Sequence, residues 1–90
     1  TMNEEDWNYQ NFLAYLKYLV NRILEGDSYQ GSEDQELYHE LILLYPKVYD
    51  CVEKIASFIK DGFDYEICQE DRMDMMIYIE RLTKHYNRTR

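Results

Sequence analysis

The stretch LILLYPKVYDCVEKIASFIKDG, residues 41–62, decides the fold, because apolar residues recur at helical spacing on both sides of the chain's single proline. Pro46 disfavours helical geometry in the residue before it, so one helix must stop near Tyr45. The same proline suits the first position of a new helix, where its missing N–H is not needed. The inward-facing positions of this new helix are Val48, Val52, Ile55, Ala56 and Ile59. The stretch therefore predicts two consecutive helices, with Gly62 closing the second.

Two further helices flank this pair. The first helix of the chain runs from about Glu5 to Glu25 and is closed by Gly26, with apolar residues at three-and-four spacing. We expect its buried stripe to consist of Phe12, Leu16, Leu19, Val20 and Ile23. The last helix runs from Gln69 to about His85, with acids at its start and cations at its end, as the helix dipole favours.

The helix before Pro46 begins after a polar loop, where Ser32 followed by Gln35 forms a capping-box pattern. Its apolar face carries Leu37, Leu41 and Leu44. An extended link over residues 63–68 joins the third and fourth helices. No strand pattern of useful length appears, so the sequence predicts an all-α fold, a compact bundle of four main helices in one domain spanning residues 1–90. Connections this short favour antiparallel neighbours.

The chain is small, acidic and rich in tyrosine. Its net charge of −8 argues against nucleic-acid binding by this chain, because such binding depends on Lys and Arg side chains that neutralise phosphates. No signal peptide and no apolar stretch of membrane-spanning length is visible, so a soluble, cytoplasmic protein is expected. Cys51 and Cys68 lack CxxC spacing and are predicted to be buried thiols in a reducing compartment.

No pattern in the sequence indicates catalysis or metal binding. The three glycines are isolated at helix ends, and His39 and His85 stand alone on separate helices. Glu33, Asp34 and Glu36 could bind a hard cation, but a solvated helix start is the favoured interpretation. The prediction is a protein that is not an enzyme and holds no metal or cofactor.

Met73, Met75 and Met76 allow two interpretations. Clustered methionines can form an adaptable surface for a partner protein. The favoured interpretation is that Met73, Met76 and Ile77 fill the core at helical spacing.

Three segments, taken in order, resemble a known family. They are NFLAYLKYLVNRILEG at residues 11–26, YPKVYDCVEKIASFI at residues 45–59 and EICQEDRMDMMIYIERL at residues 66–82. Together they resemble the phosphotransferase-system regulation domain, or PRD, of BglG/SacY-type transcriptional antiterminators. The similarity is closest to the second copy of that domain, which reads roughly F-x-x-H-L-K-F-x-x-x-R in the first segment and L-x-I-H-I-x-R in the last. The central segment resembles Y-P-x-x-Y-x-x-x-x-x-I, and the likeness covers nearly the whole chain.

This resemblance implies a bacterial regulatory domain that forms homodimers and carries phosphorylatable histidines. The phosphocarrier HPr and the sugar-specific enzymes II would supply the phosphoryl groups, and the modification would change dimer packing. Dimer packing in turn would control an RNA-binding module that lies N-terminal to such domains and is not part of this chain. The family's first helix, which precedes the segment matched by residues 6–22, is also expected to be missing.

Tyr15 and Tyr78 stand where the family pattern has its two histidines, while Arg22, Glu80 and Arg81 match supporting motif positions. A phosphohistidine relay needs an unprotonated imidazole nitrogen, and a phenol with a pKa of about 10 cannot replace it. Both phosphoacceptors are therefore expected to be absent, either because this copy is naturally degenerate or because the histidines were replaced. The alternative interpretation is that both tyrosines are helix-interface aromatics of an unrelated bundle.

The sequence thus leads to one function and one rival. The first is a regulatory domain of an antiterminator controlled by the phosphotransferase system, acting through dimerisation with both phosphoacceptor positions lost. The rival is a small acidic helical adaptor or inhibitor that binds a basic protein by charge complementarity. Self-association distinguishes the two, because the adaptor is expected to be a monomer whose partner binding is strongly salt-sensitive.

Overall fold

The protein folds into a bundle of helices joined by short connections. The computed structural model describes residues 4–26 and 35–88, with side chains described for residues 6–26 and 35–84. The helices are α1 (Glu4–Glu25), α2 (Gln35–Leu44), α3 (Pro46–Phe63) and α4 (Gln69–Arg88). No strand occurs within these described ranges. The prediction of an all-α bundle of four main helices is confirmed, whereas the cap predicted at Ser32 lies outside the described residues.

The boundary at Pro46 forms as predicted. Helix α2 ends at Leu44 and α3 begins at Pro46, so Tyr45 alone separates them. The Tyr45 N–H donates to the Leu41 carbonyl at 2.9 Å, and the Tyr45 carbonyl accepts from the Tyr49 N–H at 2.9 Å. The chain therefore changes direction at the proline without leaving the backbone groups of Tyr45 unpaired.

The predicted end of α3 at Gly62 is wrong, because the helix continues to Phe63. Asp64 then adopts a left-handed conformation with φ 52°, and its N–H donates to the Lys60 carbonyl at 2.9 Å. Aspartate is one of the few residues other than glycine that visit this conformation. Its carboxylate also accepts a hydrogen bond from Lys60 Nζ at 2.9 Å. Gly26, in contrast, follows the last residue of α1 as predicted, with φ 72°.

Helix α4 lies at the centre of the bundle, and α1, α2 and α3 each pack against it. The buried hydrophobic side chains are Leu19, Val52, Ala56, Ile59, Ile67, Met75 and Met76. Three of the five inward positions predicted for α3 belong to this set, and the other two, Val48 and Ile55, pack partly buried against it. Each large side chain buried in this way stabilises the fold by about 1.5–3 kcal/mol, which makes this cluster the main source of stability.

The stripe predicted on α1 is only partly buried. Leu19 is buried, but Val20 is 49% exposed, so its predicted burial is wrong. The other members, Phe12, Leu16 and Ile23, are half-buried. Because α1 packs mainly against α4, only one side of its broad apolar surface is covered.

Some predicted core residues on α2 and α4 are also exposed. These residues are Leu37, Leu44 and Ile77. Helix α2 lies at the edge of the bundle and has no fully buried residue. On α4, Met75 and Met76 are both fully buried and Met73 is half-buried. The methionines therefore contribute to the core, as the favoured interpretation predicts, although Met75 rather than Ile77 completes the buried set.

Replacing Met76 by alanine should destabilise the protein much more than replacing its neighbour Ile77. Met76 is fully buried, so Met76→Ala leaves a cavity at the centre of the bundle, and the expected loss is about 2–5 kcal/mol in the free energy of unfolding. Ile77→Ala removes a side chain that is 39% exposed and serves as the matched control. Urea unfolding followed by circular dichroism measures both, and equal losses would contradict the assigned core.

Candidate functional site

Asp71 lies in the first turn of α4 and is 3% exposed. A buried carboxylate is costly unless it is paired and hydrogen-bonded. Its place at the start of a helix is favourable, because the N-terminal end of the helix dipole is positive. The side chains that surround this carboxylate define the candidate site.

Three donors satisfy the Asp71 carboxylate. The Tyr15 hydroxyl donates to Oδ1 at 2.7 Å, and Arg22 Nη2 donates to Oδ2 at 2.5 Å. The Cys68 thiol, a weak donor, lies 3.4 Å from Oδ2. Tyr15 and Arg22 are about two helical turns apart, so they extend from the same side of α1. One carboxylate on α4 therefore joins two positions on α1.

Arg22 and Asp71 form a buried ion pair, with 8% and 5% of their side chains exposed. The Arg22 guanidinium also lies over the ring of Tyr18, 5.0 Å from its centroid, in a cation–π contact. The desolvation of both charges offsets much of the attraction between them. Removing only one of the two would leave the other charge buried without its partner, which is strongly destabilising.

Tyr15 and Tyr78 meet beside this ion pair. Their rings stack with centroids 5.2 Å apart and planes at 30°. Phe12, one turn before Tyr15 on α1, adds a second contact to the Tyr78 ring, at 5.8 Å and 32°. Aromatic pairs at such distances contribute about 0.5–1.5 kcal/mol beyond the area that they bury. Tyr15 therefore contacts α4 twice, through its hydroxyl at Asp71 and through its ring at Tyr78.

Burial, the hydrogen bond to Asp71 and the charge of Asp71 raise the pKa of Tyr15 well above its usual value of about 10. Burial, followed by the charges of Asp71 and Glu70, also raises the pKa of Asp74. For Arg22, burial acts to lower the pKa, but the hydrogen bond and charge of Asp71 outweigh this effect and raise it. At neutral pH the site therefore contains a protonated phenol beside a guanidinium–carboxylate pair.

This arrangement can hold two helices together but offers no activated nucleophile. The Tyr15 phenol is protonated and its hydrogen is committed to Asp71, whereas nucleophilic catalysis needs a group activated by a base or by a lowered pKa. His39 is exposed and stacks on the ring of Tyr38 at 6.4 Å, on α2. The side chain of His85 is not described. Within residues 6–26 and 35–84, no group of three or more His, Cys, Asp or Glu side chains could hold a metal ion.

The structure brings together some of the residues that the family resemblance singled out. Tyr15, Tyr78 and Arg22 belong to one site, whereas Glu80 and Arg81 line a separate cavity of about 260 Å³. Of the acidic cluster at the start of α2, Glu36 is exposed, and Glu33 and Asp34 lie outside the described residues.

Sequence reasoning missed Asp71, which the structure places at the centre of the site. An acid in the first turn of a helix is favoured by the helix dipole whether its side chain is exposed or buried. The position of Asp71 in the sequence therefore gave no sign that its carboxylate is buried. The one available signal was Arg22, a charged residue within the apolar part of α1, which required a partner if it was buried.

The two cysteines differ from the prediction and from each other. Cys51 is exposed on α3, so its predicted burial is wrong. Cys68 is half-buried in the link before α4, where its thiol contacts Asp71. Neither cysteine forms a disulfide, and only Cys68 belongs to the site.

Sequence comparison defines the class of this protein. The family profile described as PRD domain matches residues 1–82, so the chain belongs to the PRD domain family. It is similar to the transcription antiterminator LicT of Bacillus subtilis (strain 168), with 28% identity over 82 residues, which are 91% of this chain and 29% of LicT. It is also similar to the transcription antiterminator LacT of Lacticaseibacillus casei, with 31% identity over 74 residues, 82% of this chain and 25% of LacT.

The chain therefore spans less than a third of the length of either relative. No solved structure matched it. In the described part of the chain, no helix is long and apolar enough to cross a membrane. The resemblance to PRD domains of antiterminators is confirmed at the level of the family, while the assignment to a second-copy PRD stays a prediction.

Removing Arg22 alone should cost more stability than removing Arg22 and Asp71 together. Arg22→Met leaves the buried Asp71 carboxylate without its cation, with an expected loss of about 3–5 kcal/mol. Adding Asp71→Leu removes the stranded charge and should recover part of that loss. Lys17→Met, on the exposed side of the same helix, is the matched control and should change little. Urea unfolding of wild type and these three variants provides the test, and a double variant at least as unstable as Arg22→Met alone would contradict it.

Tyr15→Phe should lower stability at pH 7 by about 1.5–3 kcal/mol, the range for a hydrogen bond to a charged group. Folding holds the pKa of Tyr15 above its unfolded value, so this contribution is full below about pH 10 and declines as the pH rises further. The difference in unfolding free energy between wild type and Tyr15→Phe should therefore shrink above about pH 10. Tyr9→Phe, which removes an exposed hydroxyl from α1, controls for the loss of one tyrosine. A pH-independent difference would contradict the assigned interaction.

Proposed function

We propose that residues 1–90 form one regulatory, non-enzymatic domain of a transcriptional antiterminator controlled by the sugar phosphotransferase system. Membership of the PRD domain family and similarity to two antiterminators support this proposal. In the complete protein, the domain acts through self-association, which controls a separate RNA-binding module. The acidic chain has no part in RNA contact itself, because a net charge of −8 repels a polyanion.

The central part of the proposal is that Tyr15 and Tyr78 occupy the two positions where other PRDs carry phosphoacceptor histidines. The observation that supports it most directly is the stacking of these two rings at 5.2 Å, although they lie on helices α1 and α4 at opposite ends of the sequence. Two positions that once accepted phosphoryl groups in a shared site should lie side by side in this way. Aromatic residues at a helix interface could also meet in an unrelated bundle, but the PRD family match over residues 1–82 counts against that interpretation.

With phenols at both positions, the domain does not receive phosphate. A phosphoryl group would add about −1.5 to −2 charges, and here it would have to enter beside the buried Asp71 and near Asp74. In histidine-bearing relatives, that charge is expected to disturb the acidic domain and its packing against a partner copy. The domain with tyrosines instead stays in its unphosphorylated arrangement whatever the state of HPr and the enzymes II.

Restoring both histidines should restore phosphorylation. Purified Tyr15→His/Tyr78→His protein, incubated with phosphoenolpyruvate, enzyme I, HPr and an enzyme II, is expected to acquire acid-labile radioactive phosphate, because an imidazole nitrogen can accept it at neutral pH. Wild type and Tyr15→Phe/Tyr78→Phe are the matched controls and should stay unlabelled. The histidine-restored protein and Tyr15→Phe/Tyr78→Phe should also carry His39→Ala and His85→Ala, so that label cannot arise at those native imidazoles, whereas wild type keeps both.

Failure of the restored protein to acquire label, with a known PRD protein labelled in the same reaction, would count against the assignment of Tyr15 and Tyr78. Label at His39 or His85 in the wild type would contradict the claim that this domain receives no phosphate. A coding sequence for an RNA-binding module upstream of residue 1 would support the antiterminator context independently of either result.

A further inference from the structure

The break between α2 and α3 leaves a cavity beside α4. Pro46 starts α3 directly after Tyr45, the residue that follows α2, so the two helices meet at a corner. A cavity of about 540 Å³ lies between this corner and α4, and its lining includes Tyr45, Ile79 and Glu80. The cavity of about 260 Å³ that Arg81 lines adjoins it, because Tyr45 and Glu80 line both. The two cavities together are called the corner groove here.

The larger cavity is lined mainly by apolar side chains. Leu44, Pro46 and Val48 line it from the corner, and Ile79 lines it from α4. Its volume lies within the range of roughly 300–1,000 Å³ for sites that bind small molecules, and such sites are mostly apolar with a few polar groups. The larger cavity can therefore accommodate the apolar part of a small ligand.

The charge of the corner groove is opposite to that of the chain. Among the described residues that line it are three cations, Lys47, Arg81 and Lys84, but only one acid, Glu80. The whole chain, in contrast, has 18 acidic residues and 10 Lys and Arg residues. Within the described part of the chain, none of the three cations forms an ion pair. The groove therefore favours a ligand that brings a negative group.

We propose that the corner groove binds a small amphipathic organic anion, an aliphatic or aromatic body that carries one carboxylate. The apolar body occupies the larger cavity, and the carboxylate lies between Arg81 and Lys84 in the smaller one. These two residues are three positions apart on α4, so their side chains extend from the same side of the helix. Together they can hold one carboxylate through charge-assisted hydrogen bonds. Glu80 lies where the cavities meet and weakens the binding of an anion, but it does not outweigh the cations.

Other kinds of ligand fit the corner groove less well. A cationic ligand would be repelled by the excess of cations, and a neutral one would leave Arg81 and Lys84 without a counter-charge. A polyanion such as RNA needs many cations along its backbone, and the chain's net charge of −8 repels it. A single negative group on an apolar body matches both halves of the groove.

The expected binding is reversible and modest, because the groove is open on one side. Leu44 is 68% exposed, and Lys47 and Arg81 are exposed as well. For a ligand of about ten non-hydrogen atoms, we expect a dissociation constant of roughly 0.1–1 mM. None of the residues that line the groove takes part in the contacts around Asp71, so the site is separate from the tyrosine site.

Titration of the ¹⁵N-labelled protein with three matched probes, followed by NMR, tests the inference. Octanoate, 1-octanol and octyltrimethylammonium carry the same alkyl chain but differ in the charge of the head group. Octanoate should shift the amide resonances of residues that line the corner groove. 1-Octanol should bind at least about tenfold more weakly, because it does not satisfy the two cations, and octyltrimethylammonium should not bind.

Substitutions of charged residues test the position of the carboxylate. Arg81→Gln/Lys84→Gln should weaken octanoate binding by at least about tenfold and leave 1-octanol binding unchanged. Glu80→Gln should strengthen octanoate binding by about two- to fivefold, because it removes a repulsive charge. Lys54→Gln, which removes an exposed cation of α3 that lines neither cavity, is the matched control and should bind like wild type. Circular dichroism spectra establish that each variant keeps its helices.

The native thiol of Cys51 reports on the apolar half of the site. Cys51 lines the larger cavity and is exposed, whereas Cys68 is half-buried and lies outside both cavities. Saturating octanoate should slow the alkylation of Cys51 by iodoacetamide at least about threefold, because the bound chain covers the thiol. The rate at Cys68, followed in the same samples by mass spectrometry, should stay unchanged.

Three results would overturn the inference. Equal affinity for octanoate and 1-octanol, or full octanoate binding by Arg81→Gln/Lys84→Gln, would show apolar contact without recognition of the anion. Unchanged alkylation of Cys51 at saturating octanoate would place the bound chain outside the larger cavity. If no probe binds at about 10 mM, the groove is not a site for small anions, and a partner protein or another segment covers it. Phosphate labelling of the histidine-restored protein uses other residues, so the proposed function can stand or fail independently of these results.

Discussion

The fold depends on the way in which one buried carboxylate is satisfied. Asp71 is nearly inaccessible to water, so it must find its hydrogen-bond donors within the protein, and two of the three that it finds come from α1. The apolar core fixes α3 and the link before α4 against α4, but it includes only one fully buried residue of α1, Leu19. The rotation of α1 about its axis is therefore set largely by Tyr15 and Arg22. That rotation also decides which face of α1 covers α4 and which stays exposed.

The helices could be predicted from the sequence because their limits are set by local chemistry. Pro46 fixes one boundary through its own ring, and Gly26 fixes another through its freedom to adopt a positive φ. Burial was less predictable, as Val20 shows. Periodicity identifies every apolar residue on a helix, but it cannot say which part of a wide apolar surface another helix will cover. The prediction for Cys51 failed for a different reason, because it rested on the residue type alone, whereas the inward positions that helical spacing assigns to α3 do not include Cys51.

The site residues that belong to the family motifs could be predicted from the sequence. Those that only the tertiary structure brings into the site could not. Tyr15 and Tyr78 were identified by their positions in two motif segments. Asp71 was not, because its partners lie 49 and 56 residues away in sequence and no local rule connects them. Arg81 shows the reverse case, since it matches the motif but lines, with Glu80, a cavity away from the tyrosine pair. A motif therefore indicates which positions matter to a family, while the structure decides which of them act together.

If Tyr15 and Tyr78 stand at the family's histidine positions, as proposed, the exchange of imidazole for phenol alters more than nucleophilicity. A tyrosine is longer than a histidine, and at position 15 its hydroxyl reaches the Asp71 carboxylate while its ring stacks on Tyr78. The group beside the Asp71 carboxylate is then a neutral hydrogen-bond donor, the Tyr15 hydroxyl. A phosphoryl group there would instead place about −1.5 to −2 charges next to Asp71 and compete with it for Arg22. On the proposed assignment, tyrosine thus replaces a contact whose charge can change with one whose charge does not change at neutral pH. It follows that a PRD with this pair is better suited to hold α1 and α4 in one arrangement than to switch between two.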